Sequence, residues 1–153
     1  MKSNSKSAAI FKDGEYYGGR VVKNKKVGKG TFIFNEYSTQ YPPGSRYEGS
    51  FKDDKFDSYG TLFDKNDNKR FEGLWKSGKL NGKGCEYSTT YFDIETGDPI
   101  KIYEGEFVNN KKQGYGIIFN EKGMKVYKGC MRLDVRWGPG KSFLIVDNKS
   151  IIN

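Results

Sequence analysis

Apolar and polar residues alternate along most of this chain with a period of two. In the stretch Phe71-Glu-Gly-Leu-Trp-Lys, the residues Phe71, Gly73 and Trp75 fall on one side and Glu72, Leu74 and Lys76 on the other. Such alternation reads as a half-buried strand rather than a helix. A Ser77-Gly78 pair follows, where a two-residue hairpin loop needs φ > 0, and a second alternating run then continues to Tyr87. The same frame starts again at Tyr17, Tyr47, Tyr103 and Tyr127, which sets out units 17–33, 47–63, 71–87, 103–119 and 127–143. Each unit is counted here from its first aromatic residue as position 0. Position 2 is glycine throughout (Gly19, Gly49, Gly73, Gly105, Gly129), and position 4 is large and apolar (Val21, Phe51, Trp75, Phe107, Met131). Position 11 is Gly28, Ser58, Gly82, Gly114 and Gly138, and position 13 is Gly30, Gly60, Gly84, Gly116 and Gly140. These columns hold fourteen of the twenty glycines. A recurrence of this kind predicts a repeat protein made of hairpins.

The pattern also predicts a register. With positions 6 and 7 as the loop, facing residues have positions that sum to 13. Position 0 then opposes the glycine at 13, position 2 opposes 11, Trp75 meets Leu80 and Phe51 meets Phe56. A single sheet has no second layer to fill its core, so rings lying over bare strand backbone are the expected core. Hydrophobic residues make up only 35% of the chain while aromatics reach 16%, as a thin sheet packed with rings requires. Two strands per unit add about 9.5 Å, so five units give a meander on the order of 50 Å long. Each unit touches only its neighbours.

The unit starts are 30, 24, 32 and 24 residues apart, so short and long links alternate. The long links, 34–46 and 88–102, enclose the near-copies Glu36-Tyr-Ser-Thr-Gln-Tyr41 and Glu86-Tyr-Ser-Thr-Thr-Tyr91, each followed by a turn signal. Both read as lengthened hairpins projecting from one edge, available to a partner. Residues 1–7 read as a disordered polar tail and 8–153 as a single domain, begun by a half-unit at Ala8–Lys12. Residues 144–153 read as a cap: a strand, an Asp147-Asn148 turn and a last short strand. An imperfect cap would leave a sheet end free for homo-oligomer formation.

The frame YEGxWKxGKxxGxG resembles the MORN repeat. FEGLWKSGKLNGKG (71–84) and YEGEFVNNKKQGYG (103–116) match it closely. YEGSFKDDKFDSYG departs at Ser58, YKGCMRLDVRWGPG at Met131 and its loop, and YGGRVVKNKKVGKG at Val21. The resemblance implies an all-β fold, an elongated single-layer antiparallel meander of hairpin repeats. It implies a scaffold, adaptor or structural subunit in a larger assembly, at cytoskeletal, ciliary or membrane sites, rather than an enzyme. On that reading a partner protein, most simply a helix, lies across the rings of Tyr47, Phe51, Phe71, Trp75, Tyr103, Phe107 and Tyr127, with Trp75 the principal anchor.

Charge adds a second surface. The chain carries a net +8. Positions 5 to 9 of the units hold eleven basic residues against three acidic ones, and the remainder of the chain is balanced. The loop edge is therefore positive, with Lys23, Lys25, Lys26, Lys55, Lys79, Lys111, Lys112 and Arg136 as its candidate contacts. It would attract an acidic protein or anionic phospholipid, and the alternative function is a peripheral membrane tether. Nucleic acid is disfavoured, because none of the usual recognition signatures occurs. The chain lacks histidine and has no nucleophile elbow, Walker loop or dinucleotide fingerprint, so no cofactor or catalytic site is expected. Cys85 and Cys130 lie two units apart, too far for a disulfide, and read as reduced thiols. A cytoplasmic, cytoskeleton- or cilium-associated location is expected, and the basic, Ser-containing N-terminus leaves a mitochondrial presequence open.

Overall fold

The structure is a computed structural model that describes residues 8–146 and 149–152. The expected tail at 1–7 and the Asp147-Asn148 turn lie outside the described residues. The strands are β1 (Ala9–Phe11), β2 (Gly14–Tyr17), β3 (Arg20–Val22), β4 (Lys25–Phe34), β5 (Arg46–Lys52), β6 (Lys55–Phe63), β7 (Lys69–Lys76), β8 (Lys79–Phe92), β9 (Pro99–Val108), β10 (Lys111–Phe119), β11 (Lys125–Arg132), β12 (Val135–Val146) and β13 (Lys149–Ile152). They form one open antiparallel sheet in chain order, with β3 beside β2 against β4. No helix occurs among the described residues.

All five unit hairpins turn as the loop pairs require. Both loop residues have positive φ in Lys23-Asn24, Asp53-Asp54, Ser77-Gly78, Asn109-Asn110 and Leu133-Asp134. That is the two-residue turn whose twist matches the flanking strands. Next to the loop the expected register holds, with Trp75 opposite Leu80 and Phe51 opposite Phe56.

Further along, the register departs from the arithmetic. Gly73 pairs with Gly84 and Gly49 with Gly60, so position 2 opposes 13 rather than 11. The cause is a bulge on the second strand of each unit. Position 11 sits in it with left-handed backbone, φ 80° at Gly28 and 61° at Ser58. Glycine is favoured there for its conformation, since at Gly28 and Gly138 an added Cβ would meet nothing within 4 Å. Position 13 also pairs with position 2 of the next unit. The result is one unbroken row, Gly30–Gly49–Gly60–Gly73–Gly84–Gly105–Gly116–Gly129–Gly140, crossing every strand from β4 to β12.

Rings cover this row on one face. A Cβ added to Gly60 would lie 2.0 Å from the Tyr47 hydroxyl, and one added to Gly116 would lie 2.4 Å from that of Tyr103. Tyr103 pairs with Ile118 in register, so its ring reaches Gly116 by leaning along the strand. The hydroxyls of Tyr47, Tyr103 and Tyr127 donate to the carbonyls of Ser50, Glu106 and Cys130, at 3.3, 3.0 and 3.0 Å. These position 3 carbonyls face the bulge, so tyrosine satisfies acceptors that phenylalanine would leave to water. Phe71 has no hydroxyl and is only half-buried. Trp75 of the same unit instead donates its indole N–H, at 3.0 Å, to the Gly60 carbonyl of the preceding unit.

The first unit is shifted by one residue. Tyr16, not Tyr17, is buried over Gly19 and Gly30, and its hydroxyl donates to Val27 and Gly28. The extra residue is accommodated at Gly18, with φ 81°, where β2 gives way to β3. The two long links also differ from each other. The second is an extended hairpin, β8 and β9 continuing to a Phe92–Pro99 pair. The first is not: 35–45 contains turns and bends but no strand, and it folds back so that Tyr41 packs on Phe34 and Phe56.

Candidate functional site

The rings expected to receive a partner are core. Tyr47, Phe51, Trp75, Tyr103, Phe107 and Tyr127 are each no more than 5% exposed, and only Phe71 is partly open. They cover one another edge to face, as in Tyr47 against Trp75 with centroids 5.6 Å apart and Tyr103 against Phe107 at 5.2 Å. Tyr47 stacks flat on Phe56 at 3.7 Å. In a one-layer sheet the rings are the only material available to exclude water from the glycine row, so their burial follows from the fold. Burial raises the Tyr47 phenol well above its ordinary range and pushes Tyr103 up to about 12.

The loop edge divides into spent and unspent cations. Lys26 is buried, 2.6 Å from Asp54, with its ammonium over the rings of Phe11 and Phe32 at 4.0 and 4.3 Å. Lys111 pairs with Asp134 at 3.0 Å and Lys112 with Glu86 at 2.5 Å. Arg136 lies over the Tyr127 ring at 4.7 Å. Lys23, Lys25, Lys55 and Lys79 are exposed.

The same edge carries a clasp that the sequence pattern does not announce. From the second hairpin on, the second loop residue donates its N–H to the position 9 carbonyl of the preceding unit: Asp54 to Lys26, Gly78 to Phe56, Asn110 to Leu80 and Asp134 to Lys112. Three of the four also return a bond. Asp54, Asn110 and Asp134 accept from the position 9 N–H at 3.2, 2.8 and 2.9 Å. Gly78 has no side chain to do so. Asp or Asn at this position therefore serves both the turn and the junction. At Asp134 burial raises the carboxyl's pKa, but the Lys112 N–H and the Lys111 ammonium outweigh it, and the group sits below its usual value.

The open surface lies on the opposite face. There a shallow trough follows the glycine row in three compartments of about 500, 520 and 540 Å³. Tyr59 borders the first and second, and Tyr115 the second and third. Both rings are more than half exposed. They occupy position 12, inside the bulge, which turns them away from the buried rings. An aromatic residue directly after the bulge position, Ser58 or Gly114, is the signal that could have located them. Glu72, Glu104 and Glu106 line the central compartment with Lys83, whereas Lys125, Lys128 and Lys141 line the third. Glu72 is tuned by its neighbours. Burial opposes its ionisation, but the Tyr87 hydroxyl at 2.5 Å and the Lys69 ammonium at 3.0 Å hold it below the usual carboxyl range. Cys85 also faces this compartment as a free thiol whose pKa burial raises. Among the described residues no three His, Cys, Asp or Glu are grouped to hold a metal ion.

A family model of the MORN repeat matches residues 17–39, 47–69, 71–91 and 103–123, more than half of the chain. The fifth unit falls outside those segments yet keeps the geometry, with Tyr127 over Gly140. MORN repeat-containing protein 3 of Xenopus laevis is 31% identical over 119 residues, which are 78% of this chain and 44% of that protein. Human and mouse alsin are each 29% identical over 110 residues, covering 69% of this chain and 6% of alsin. The chain thus spans less than half the length of these relatives. No enzyme family is indicated by these similarities. Four matched repeats, a fifth of the same geometry and the hairpin sheet they build establish that the chain belongs to the MORN-repeat family.

Proposed function

We propose that this chain is a non-catalytic adaptor or structural subunit that holds an elongated segment of a partner protein in the trough over its glycine row. The observation that carries the reading is the placement of Tyr59 and Tyr115. They are large, exposed aromatic rings on the face the core does not use, bordering successive compartments. Tyrosine supplies much contact area at small entropic cost and is enriched at binding hot spots. The compartments together run along most of the ribbon, which suits an extended or helical segment better than a compact ligand. The buried rings act at one remove, by packing the sheet that presents this face.

The test is capture from the native source with wild type and a Tyr59→Ser/Tyr115→Ser pair. Both positions are exposed, so the pair should fold as wild type does. The reading requires proteins that wild type retains and the pair loses. Retention of the same proteins by both overturns it.

A peripheral membrane role is the second reading, supported by the exposed lysines of the loop edge. Flotation with anionic vesicles over a salt series distinguishes it, since binding through that edge must weaken as salt rises. For the setting we propose the cytoskeleton or cilium, on the strength of the family resemblance. Imaging of the tagged chain in its own cell tests that placement.

A further inference from the structure

Two adjacent hairpins end in like charges set directly against each other. Lys52 pairs with Lys55 across the second hairpin, and Lys76 with Lys79 across the third. Opposed like charges destabilise a sheet. The other hairpins avoid the arrangement at the same two positions, with Val22 against Lys25, Val108 against Lys111 and Arg132 against Val135. Several other cations on this edge are neutralised or laid on rings, as Lys111 is by Asp134 and Arg132 by Trp137. Lys52, Lys55, Lys76 and Lys79 are all exposed, and none has a carboxylate partner among the described residues. Asp54, the carboxylate close at hand, is committed to Lys26.

We infer that these four lysines form a binding site for an acidic peptide segment of a partner protein. They lie on the face of the trough, since Phe51, Phe56, Trp75 and Leu80 beside them point into the core. With Lys25 on β4 they make a row across β4 to β8, about 19 Å long at the usual strand spacing. An extended peptide rises about 3.3 Å per residue, so six residues span it. The occupant runs across the strands, as the row does, and bonds through its carboxylates to the ammonium groups. A peptide suits the row better than a bilayer does. The outermost residues of the second hairpin are Asp53 and Asp54, so an anionic membrane approaching this edge meets carboxylates first. A peptide laid along the face reaches the four lysines from the side, behind the tip of the second hairpin. The site is distinct from the trough, so either can fail without the other.

The test uses the full chain and an eight-residue glutamate peptide carrying a fluorophore, followed by anisotropy at low and moderate salt. Wild type should bind, with affinity falling as salt rises. Lys76→Glu/Lys79→Glu should weaken binding at least tenfold. Lys65→Glu/Lys122→Glu, the same change in net charge in the link turns of the opposite edge, should leave it within twofold. Lys76→Glu alone converts the opposed pair to opposite charges and should raise Tm by about 2 °C while weakening binding. That combination marks a residue kept for a ligand rather than for the fold. The inference is overturned if wild type does not bind the peptide. It is also overturned if the two double variants lose binding equally, or if anionic vesicles bind the edge and the peptide does not displace them.

Discussion

The two long links start from almost the same hexapeptide and end in different structures. In both copies the serine closes the same local turn. Ser38 Oγ accepts from the N–H groups of Gln40 and Tyr41, and Ser88 Oγ from those of Thr90 and Tyr91. Beyond that turn they diverge. Tyr41 folds over the core face and stacks on Phe56, centroids 5.9 Å apart, whereas Tyr91 is half exposed on a hairpin whose tip residue Ile94 is bare. The ground beneath them explains the outcome. Tyr41 rests on Phe34 and Phe56. The corresponding unit positions beside Tyr91 are Ser88 and Lys112, and Lys112 is committed to Glu86. Pro42-Pro43 denies the first link two ladder donors, while Arg70 holds the second in place by donating to the Tyr87 and Ser88 carbonyls. Identical local chemistry sets the turn, and the surface within reach of the final ring decides whether the segment covers the core or stands free.

Substitutions should break this contrast in a definite order. Phe56→Ala has the largest expected effect, about 3–5 kcal/mol by denaturant unfolding, because it empties a buried site between Tyr41, Tyr47 and Trp75. It should also leave Tyr41 as open to quencher as Tyr91 is. Tyr41→Ala should cost about 2 kcal/mol against under about 0.5 for Tyr91→Ala; equal costs would mean that the first link contributes no packing. Ser38→Ala and Ser88→Ala should each lose about 1 kcal/mol, since the shared turn is what both remove.

One effect is seen only in alkali and leaves neutral pH untouched. Burial pushes the Tyr41 phenol up to about 12, above its unfolded value near 10. A group raised in this way contributes in full below pH 10, and its contribution is lost as pH rises toward 12. Tyr41→Phe should therefore move the alkaline unfolding midpoint upward, and difference absorbance should show one fewer tyrosine ionising late.

Much of the fold was legible because hairpin loops and period-two alternation are local. The five turns and the rings of Tyr47, Tyr103 and Tyr127 over their glycines follow from spacing alone. The register did not, because pairing arithmetic assumes an unbroken ladder and each unit contains a bulge. The positive φ at position 11 is what glycine there was signalling. The slip from Tyr17 to Tyr16 was hidden by two adjacent tyrosines that fit the frame equally well. That the candidate rings would be buried by one another was not legible, for a simple reason. Hydrophobic pattern identifies which rings share a face, but not whether anything remains uncovered once they have packed against each other. Tyr59 and Tyr115 were visible as residues yet carried no periodic signal, since lysine or proline fills the same position in the other units.

The glycine row has one more consequence. Its contact is the same within a hairpin and between hairpins: Gly49 meets Gly60 inside a unit as Gly60 meets Gly73 across a junction. Along this row a strand therefore finds the same contact on either side. Duplicating or deleting one unit by recombination would leave the row itself unbroken, and the chain could lengthen or shorten in whole hairpins without interrupting it.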